Sequence, residues 1–404
     1  MPWESTDVND QRVKFVVRAA SGKERMSELC REFGISRPTG YRWLGRFEKS
    51  RSFTAVVERS RRPAHSPGRT DASKEESVLR LREQYGWGAK KIKVLLQEEG
   101  VQVTVTTINR ILKRRGCIHK QDSNAPALKR FERSAPNQLW QMDGKGEYRA
   151  QDGKCYPLAI LDDHSRYVVG LYALTAFTAE QVYPCLVRTF ERYGVPEAML
   201  MDHGTVWWGT ANGYGLTWLS VRLIEQGIAL CYGRVGHPQT QGKVERLNRT
   251  LDEAMMHRGK PEWMAEWPGA LAEFEQVYNE QRPHEALGMK RPVEFYRAST
   301  RAYQAQPREW EYDSGSIVQR LNTQGCLYWR GQNWFVCEAL AGRRVRVEVV
   351  EELLLVSYRH MYVREIDCQQ RRSRALVLHV GRALRSPFGL PTSPANVQNQ
   401  KDRV

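Results

Sequence analysis

The chain has 404 residues, more than one ordinary domain uses, so its length predicts two to four domains. Hydrophobic residues make up 41% and charged residues 27%, which is typical of a globular protein and excludes a membrane protein, because no apolar run approaches the ~20 residues that cross a bilayer. The polar, acidic start MPWESTDVND does not fit a signal peptide. The eight cysteines include no CxxC pair, so we expect reduced thiols in a cytoplasmic protein.

The net charge of +16 is unevenly distributed along the chain. Residues 1–135 hold 29 Lys and Arg against 16 Asp and Glu, whereas the remaining 269 residues hold 33 against 30. A strongly basic front part joined to a nearly neutral body indicates a polyanion-binding module attached to a second function. A basic protein without a specific partner would have the same composition, so charge alone leaves both interpretations open.

Residues 8–55 have the pattern of a helix-turn-helix DNA-binding domain. Apolar residues at helical spacing predict helices in DQRVKFVVRAA and MSELCREF, and Gly34 predicts the turn that follows. Ser36 is the expected N-cap of a third helix, PTGYRWLGRF, which has Pro38 in its first turn. The N-terminal end of such a helix enters the major groove. The candidate DNA contacts are Arg37, Thr39, Tyr41 and Arg42. A three-helix bundle without a DNA function has the same outline.

A second helical unit follows a basic, proline-containing linker at residues 56–73. Residues 74–120 contain the helical patterns EESVLRLREQY, AKKIKVLLQEEG and TTINRILKRRG, with Thr104 as the expected N-cap of the last helix. Two tandem helix-turn-helix units would suit the recognition of a long DNA sequence.

Strand patterns begin at residue 136. Three runs in 136–299, LWQMDGKGEY, CYPLAILDD and YVVGLYALT, predict an antiparallel meander, and helices then alternate with strands. This order predicts an α/β core with a mixed five-stranded sheet and helices on its faces. In 310–382, the alternation of Val345, Val347 and Val349 with charged residues predicts a small β-barrel. We expect a disordered tail at 383–404. The fold class is therefore multidomain α+β.

Three acidic residues lie where a catalytic site could form. Asp143 lies in the first strand, on the face opposite Trp140 and Met142. Asp202 ends the strand AMLMD, where a carboxylate opens into a crevice. Glu245 lies on the polar side of the helix TQGKVERLNRTLDEAMM. Carboxylate oxygens of this kind suit Mg²⁺ or Mn²⁺.

Each of these acids also has a plain structural interpretation. A lone Asp at the end of a strand usually forms a turn, and a Glu on an amphipathic helix is usually solvated. Glu245 could also form an ion pair with Arg249 four residues later, worth a few tenths of a kcal/mol. No single acid is sufficient, so the prediction of a site depends on their combination.

Five sequence motifs follow one another in order along the chain. They are LWQMDGKG, LAILDDHSRYVVG, MLMDHGTVWWGT, GHPQTQGKVERLNRTL and YNEQRPHEALGMKRPVEFY. Together they resemble the signatures of bacterial insertion-sequence transposases that have a retroviral-integrase-type, ribonuclease-H-like (DDE) catalytic core. The resemblance covers about 136–296, and the helix-turn-helix pair upstream fits the same family. GHPQTQGKVER is its most specific part.

The resemblance implies roles for individual residues. Asp143, Asp202 and Glu245 correspond to the family's Asp-Asp-Glu triad, which would be catalytic and would bind two Mg²⁺ (or Mn²⁺) ions. The expected DNA contacts near the triad are His237, Gln239, Lys243 and Arg246. The downstream element, which we interpret as mostly structural, contains Tyr278, Asn279, Arg282, Pro283, His284 and Leu287. For Asp162, Asp163 and Ser165, which match a conserved turn, we expect a hairpin role rather than metal binding.

The sequence departs from the family pattern in two places, and it lacks one module of the retroviral relatives. The gap from Asp202 to Glu245 is 43 positions, longer than usual, with ANGYG as the apparent insertion. His203 stands where many relatives have Asn. The His-His-Cys-Cys zinc module of retroviral integrases is missing from the sequence, because His65 and His119 have no suitably spaced cysteine pairs.

The function implied is metal-dependent DNA cleavage and strand transfer. The expected partners are the element's terminal inverted repeats, target DNA and further copies of the chain, in the nucleoid-associated cytoplasm of a bacterium. One alternative is a sequence-specific DNA-binding regulator whose integrase-like core is inert. A second is a ribonuclease-H-type nuclease that acts on RNA–DNA hybrids.

Overall fold

The computed structural model describes residues 8–56, 70–118, 132–209, 215–233 and 241–376. The chain forms two compact units, Met1–Thr70 and Asp71–Val404. The predicted tail at 383–404 and most of the predicted basic linker lie outside the described residues. Among the described residues, no helix is both long and apolar enough to cross a bilayer.

The first unit contains the three predicted helices, α1 (Val8–Ala20), α2 (Met26–Glu32) and α3 (Arg37–Ser50). Their apolar faces meet in a core that contains Phe15, Val16, Leu29, Cys30, Trp43 and Val56. Gly34 has a φ of +63°, a left-handed conformation that suits the turn before α3. Ser36 stands at the N-cap position, but its hydroxyl pairs with Thr39 Oγ1 at 2.9 Å instead of with the helix backbone.

The second unit begins with three more helices, α4 (Ala72–Tyr85), α5 (Ala89–Glu98) and α6 (Val105–Arg114). Thr104 Oγ1 accepts the Thr107 N–H at 3.2 Å, so the predicted N-cap is confirmed. This helical bundle is docked on the rest of the second unit. Tyr85 Oη donates to Gln281 Oε1 at 3.0 Å, and His257 Nε2 lies 2.7 Å from the Glu83 carbonyl oxygen.

A mixed sheet flanked by helices forms the centre of the second unit. Its strands and the neighbouring hairpin are β1 (Trp140–Gly144), β2 (Tyr148–Ala150), β3 (Gly153–Asp162), β4 (Val168–Leu174), β5 (Ala198–Met201), β6 (Trp208–Gly209), β7 (Gly215–Leu216) and β8 (Ala229–Tyr232). Its helices are α7 (Ala179–Tyr193), α8 (Trp218–Glu225), α9 (Gly242–Arg258) and α10 (Trp267–Gln276). The sheet runs β2-β3-β1-β5-β8 with β4 on β3, whereas β6 and β7 pair only with each other.

The sheet has one strand more than predicted because LWQMDGKGEY folds as two strands, β1 and β2, separated by a turn. β3 is antiparallel to β1 and β4, while β1, β5 and β8 are parallel to one another. Alternating residues pack on opposite faces. Trp140 and Met142 share a core with residues of α7 and α8, and Ala159 and Leu161 share one with residues of α9 and α10.

Residues 310–376, the described part of the C-terminal region, contain seven strands but do not form the predicted barrel. These are β9 (Ile317–Arg320), β10 (Cys326–Trp329), β11 (Gln332–Phe335), β12 (Arg344–Val350), β13 (Leu353–Tyr358), β14 (Met361–Asp367) and β15 (Arg372–Ala375). Five form an open sheet, β15-β14-β13-β12-β9, and β10 pairs with β11 in a separate hairpin. The prediction of a barrel was wrong because the two edge strands of this sheet, β9 and β15, do not pair with each other. β9 ends at the exposed Arg320, and β15 carries the exposed Arg372 and Arg374. Charged edge strands resist further pairing.

The C-terminal sheet is continuous with the core of the central sheet. One apolar cluster includes Trp140 and Leu230 from the central sheet and Val345 and Val356 from the C-terminal sheet. The Leu230 N–H also points to Met361 Sδ at 3.2 Å, which ties β8 to β14. The two sheets therefore share buried surface.

Candidate active site

Asp143 lies on the face of β1 that α9 covers. Trp140 and Met142 point to the opposite face, as predicted from the alternation of the strand. Gln141 Oε1 accepts the Val244 N–H at 3.3 Å, so the start of α9 is fixed over β1. From this helix, Asn248 Nδ2 donates to Asp143 Oδ2 at 2.8 Å.

Asp202 directly follows β5, the strand next to β1. Its Oδ1 accepts the Gly204 N–H at 2.8 Å and the Trp207 indole N–H at 2.9 Å. The same indole N–H lies 2.8 Å from the Asp202 carbonyl oxygen. His203 packs against the rings of Trp208 and Tyr232, at centroid distances of 5.4 and 5.7 Å. The loop after β5 is thus folded back on itself, and the Asp202 carboxylate is fixed at the end of the strand.

Glu245 lies in the first turn of α9, with an exposed side chain. Both it and Arg249 are described, and no ion pair joins them, so the interpretation of Glu245 as a helix-surface ion pair has no support in the structure. Glu245 and Asn248 are one helical turn apart and face the same side. The carboxylate is therefore on the side of α9 from which Asn248 reaches Asp143.

The negative charges of Asp202 and Glu245 act on Asp143. The pKa of Asp143 is raised to about 6, first by burial and then by the negative charges of Asp202 and Glu245, while the hydrogen bond from Asn248 opposes the shift. In the part of the chain that the structure describes, no group of three or more His, Cys, Asp or Glu is close enough together to hold a metal ion. The three carboxylates thus share one electrostatic site but do not close to coordination distance.

The chemistry of the site fits a hard divalent cation. All three acids offer carboxylate oxygens, the ligands that Mg²⁺ and Mn²⁺ prefer. Asn248 Oδ1 is a fourth oxygen at the site, and it is buried without a hydrogen-bond partner among the described residues. A bound cation would relieve both the mutual repulsion of the acids and this unsatisfied acceptor.

Lys243 does not present its ammonium to solvent. Its Nζ lies 2.6 Å from Asp163 Oδ1 and donates to the Asp163 carbonyl oxygen at 3.0 Å, and its side chain is only 16% exposed. Burial, and then the charge of Arg166, lower the pKa of Lys243 to about 8. In this structure, Lys243 connects α9 to the β3–β4 turn, which differs from the predicted contact with DNA phosphates.

The other predicted DNA contacts of this region differ in position. Arg246, the residue after Glu245, has an exposed side chain on α9. His237 and Gln239 lie outside the described residues. Of the four DNA contacts predicted near the acids, Arg246 is therefore the one that is both described and exposed.

Asp162 and Asp163 are buried acceptors of the β3–β4 turn. Asp162 Oδ1 accepts the Ser165 N–H and hydroxyl at 2.7 and 2.6 Å, and Asp163 Oδ1 accepts the Gln141 amide at 2.7 Å. The amide of Asn279, from the downstream element, bonds both backbone groups of Val168 at 2.8 and 2.9 Å. These contacts agree with the structural roles expected for the turn and for the downstream element.

On the first unit, α3 carries the predicted DNA-contact residues. Arg37 and Arg42 are exposed and Tyr41 is 59% exposed, whereas Thr39 is partly covered. Trp43 is buried, with the Arg12 and Arg46 guanidinium groups 4.4 and 4.6 Å from its ring. The N-terminal end of α3 thus presents polar and aromatic side chains on a rigid helix, as groove recognition requires.

Two residues of the site, Asn248 and Trp207, were not predicted from the sequence. Asn248 could have been found, because it lies three residues after Glu245 on the same helical face. Trp207 could not, since its indole meets Asp202 only through the fold of the loop after β5.

Four segments of the chain match known domain families. Residues 133–238 and 226–292 match the integrase core domain. Residues 11–64 match a helix-turn-helix domain, and residues 39–112 match a homeodomain-like domain. The matches to the integrase core cover the central sheet, α9 and all three acids.

The chain is also similar to proteins of insertion elements. It is 23% identical to an insertion element IS407 uncharacterized 31.7 kDa protein of Burkholderia multivorans, over 59% of this chain and 87% of that protein. It is 25% identical to a putative transposase for insertion sequence element IS986/IS6110 of Mycobacterium tuberculosis, over 56% of this chain and 87% of that protein. It is 23% identical to a transposase for insertion sequence IS1202 of Streptococcus pneumoniae, over 68% of each chain.

Proposed function

We propose that the chain is an insertion-sequence transposase with an integrase core and that it cuts and joins DNA at Asp143, Asp202 and Glu245. The observation that carries the assignment of these residues is their proximity at the carboxyl ends of the neighbouring strands β1 and β5, where burial and then the charges of Asp202 and Glu245 raise the pKa of Asp143 to about 6. Gathering three carboxylates costs free energy unless a cation compensates their repulsion.

Two divalent ions, Mg²⁺ or Mn²⁺, would be held by these carboxylates. When bound, such ions activate a water or a DNA 3′-hydroxyl for in-line attack and stabilise the leaving oxygen. The chain's own residues hold the acids in place: Asn248 fixes Asp143, and Trp207 fixes Asp202. Arg246, the exposed residue that follows Glu245 on α9, would contact a DNA phosphate. Because water or DNA is the nucleophile, no side chain becomes linked to DNA.

The DNA partners would be the terminal inverted repeats of the element and a target duplex. The exposed N-terminal end of α3 and the helical bundle of α4, α5 and α6 are the parts suited to recognise the repeats. Joining two DNA ends requires two active sites, so the working form would be a homo-multimer assembled on DNA.

The test is cleavage and joining of a duplex that carries the inverted repeats found beside the gene. With Mg²⁺ or Mn²⁺, the wild type should release the cut strand and produce joined strands, and EDTA should abolish both products. Glu245→Gln removes a metal ligand and should lower cleavage by about 100-fold or more.

The matched control is Glu253→Gln, since Glu253 is another exposed carboxylate on α9. It should cut like the wild type. Equal cleavage by Glu245→Gln and the wild type would overturn the assignment of the acids. Binding without cleavage by the wild type with either metal would favour a regulator, and cleavage of RNA–DNA hybrids without joined products would favour a ribonuclease.

A further inference from the structure

An arginine-lined cleft lies between α8 and the C-terminal sheet, formed entirely within the second unit. Its volume is about 370 Å³, which is within the range of binding sites for small ligands or parts of larger ones. Five arginines and two glutamates line it, giving a net charge of +3. The arginines are Arg222, Arg320, Arg343, Arg344 and Arg359.

The floor of the cleft is a buried carboxylate that fixes two of these arginines. The Glu225 side chain is 5% exposed and pairs with Arg343 at 3.0 Å and Arg222 at 3.1 Å. Tyr358 Oη also donates to Glu225, at 3.0 Å. One negative charge thus orients two guanidinium groups whose outer sides stay accessible, with side chains 45% and 38% exposed. Such preorganised donors lose little entropy when they bind an anion.

Among the residues that the structure describes, no carboxylate accepts a hydrogen bond from Arg359. Its guanidinium donates to the backbone carbonyl oxygens of Glu225 at 2.7 Å and Arg308 at 3.1 Å, and these are neutral acceptors. It lies 6.0 Å from the Trp310 ring, which is 37% exposed. A fixed cation beside an exposed aromatic ring is a combination found where nucleic-acid strands bind.

The rim of the cleft carries two more exposed arginines. Arg344 lies 3.7 Å from Glu309, an exposed and loose ion pair. Arg320, at the end of β9, is exposed and has no ion pair within the described part of the chain. Both guanidinium groups can therefore turn toward a ligand without breaking a buried contact.

We propose that this cleft binds the phosphodiester backbone of DNA. This inference rests on the proposed function for the presence of DNA, but it names a site distinct from the three acids and from α3. Arginine favours phosphate because its planar group donates two parallel hydrogen bonds to it. Phosphate contacts fix the position of DNA without reading its sequence, so the cleft would hold DNA of any sequence.

The test measures how salt weakens the binding of a fluorescent random duplex to the full-length protein in EDTA. Each lost phosphate contact lowers the slope of log affinity against log salt by about 0.9. The double variant Arg320→Gln/Arg344→Gln should lower the slope by about 2 and weaken binding about tenfold at moderate salt. Both residues are exposed, so thermal unfolding should not change.

The matched control is Arg372→Gln/Arg374→Gln on β15, the opposite edge of the same sheet. It removes the same charge, including one arginine paired with an acid, Glu365. It should keep the wild-type slope. Equal slopes for both double variants would overturn the proposal, because the effect would then depend on net charge alone.

A competition arm tests for a different partner. Polyglutamate at equal charge should displace the duplex poorly from the wild type. If polyglutamate displaced the duplex from the wild type as strongly as unlabelled duplex does, and this displacement were lost in Arg320→Gln/Arg344→Gln, the cleft would bind an acidic protein surface. That result would overturn the assignment to DNA. If the wild type bound DNA through the cleft but cut none under any metal condition, the catalytic proposal would fail while this one stood.

Discussion

Asp143 carries its negative charge at a cost to the fold. Its pKa rises from the usual 3.8 to about 6 on folding. A group whose pKa is higher in the folded chain stabilises it below the unfolded value, and this stability is lost as pH rises through the folded value. We therefore expect Asp143→Asn to raise the free energy of unfolding by up to about 3 kcal/mol near pH 8, and to have little effect below about pH 4.

Urea unfolding in EDTA at the two pH values measures this difference. The control is Asp313→Asn, an exposed aspartate in the C-terminal part of the chain. Adding Mg²⁺ should stabilise the wild type more than Asp143→Asn, because the ion binds the folded carboxylates. A pH-independent effect of Asp143→Asn would contradict the repulsion described above.

Asn248 is expected to keep Asp143 ionised. Its hydrogen bond lowers the Asp143 pKa, so Asn248→Ala should raise that pKa above about 6. Cleavage should then decrease most near pH 6 and recover toward pH 8. A pH–rate profile measures the shift, with the exposed Asn333→Ala as the control. An equal loss of rate at every pH would indicate that Asn248 only supports the packing of α9.

The sequence predicted the acids better than their supporting residues. The orientation of Asp143 follows from strand alternation, and the position of Asp202 follows from the end of a short apolar strand. The contact of Lys243 with Asp163 was not predicted, because Asp163 lies 80 positions away in the chain and meets it only through the turn after β3. Local patterns give orientation, whereas the partners of long polar side chains depend on tertiary packing.

At the scale of elements, the turn after α4 depends on a glycine for two separate reasons. Gly86 has a φ of +68°, and a Cβ there would lie 2.9 Å from the His257 ring. Gly100, in the same helical bundle, has a φ of +76° but open space around it. Gly100→Ala should cost about 1 kcal/mol of backbone strain, and Gly86→Ala about 1 kcal/mol more because it displaces His257 from Glu83.

Urea unfolding of both variants separates strain from contact. Combining Gly86→Ala with His257→Ala should remove the extra cost, since the ring is no longer there. Equal costs for Gly86→Ala and Gly100→Ala would mean that the docking of the bundle does not depend on this contact.

Elements were predicted well where one apolar period dominates. The six helices before residue 118 and the order of strands and helices up to α9 follow from local periodicity. Whether the C-terminal strands close into a barrel does not follow from local periodicity. The alternation in β12 indicates one buried face in a barrel and in an open sheet alike, and only the pairing of the edge strands distinguishes the two.

At the scale of the whole molecule, recognition by α3 and catalysis by the three acids are expected on different units. Arg42→Ala removes an exposed side chain at the N-terminal end of α3 and should reduce the preference for element ends over random duplex about tenfold. Glu245→Gln should keep that preference and lose cleavage. Binding competition measures the first effect, with Lys49→Ala at the other end of α3 as the control. If Arg42→Ala kept the wild-type preference for element ends over random duplex, this result would contradict a recognition role for the residue.

The buried surface shared by the two sheets has a consequence for shortened forms of the protein. A reading frame that stopped near residue 300 would leave β8 without Met361 and the central core without Val345 and Val356. The remaining chain would show an apolar flank to water and would be prone to aggregation or degradation. Frameshifts late in the gene should therefore eliminate the protein rather than release a shorter active one.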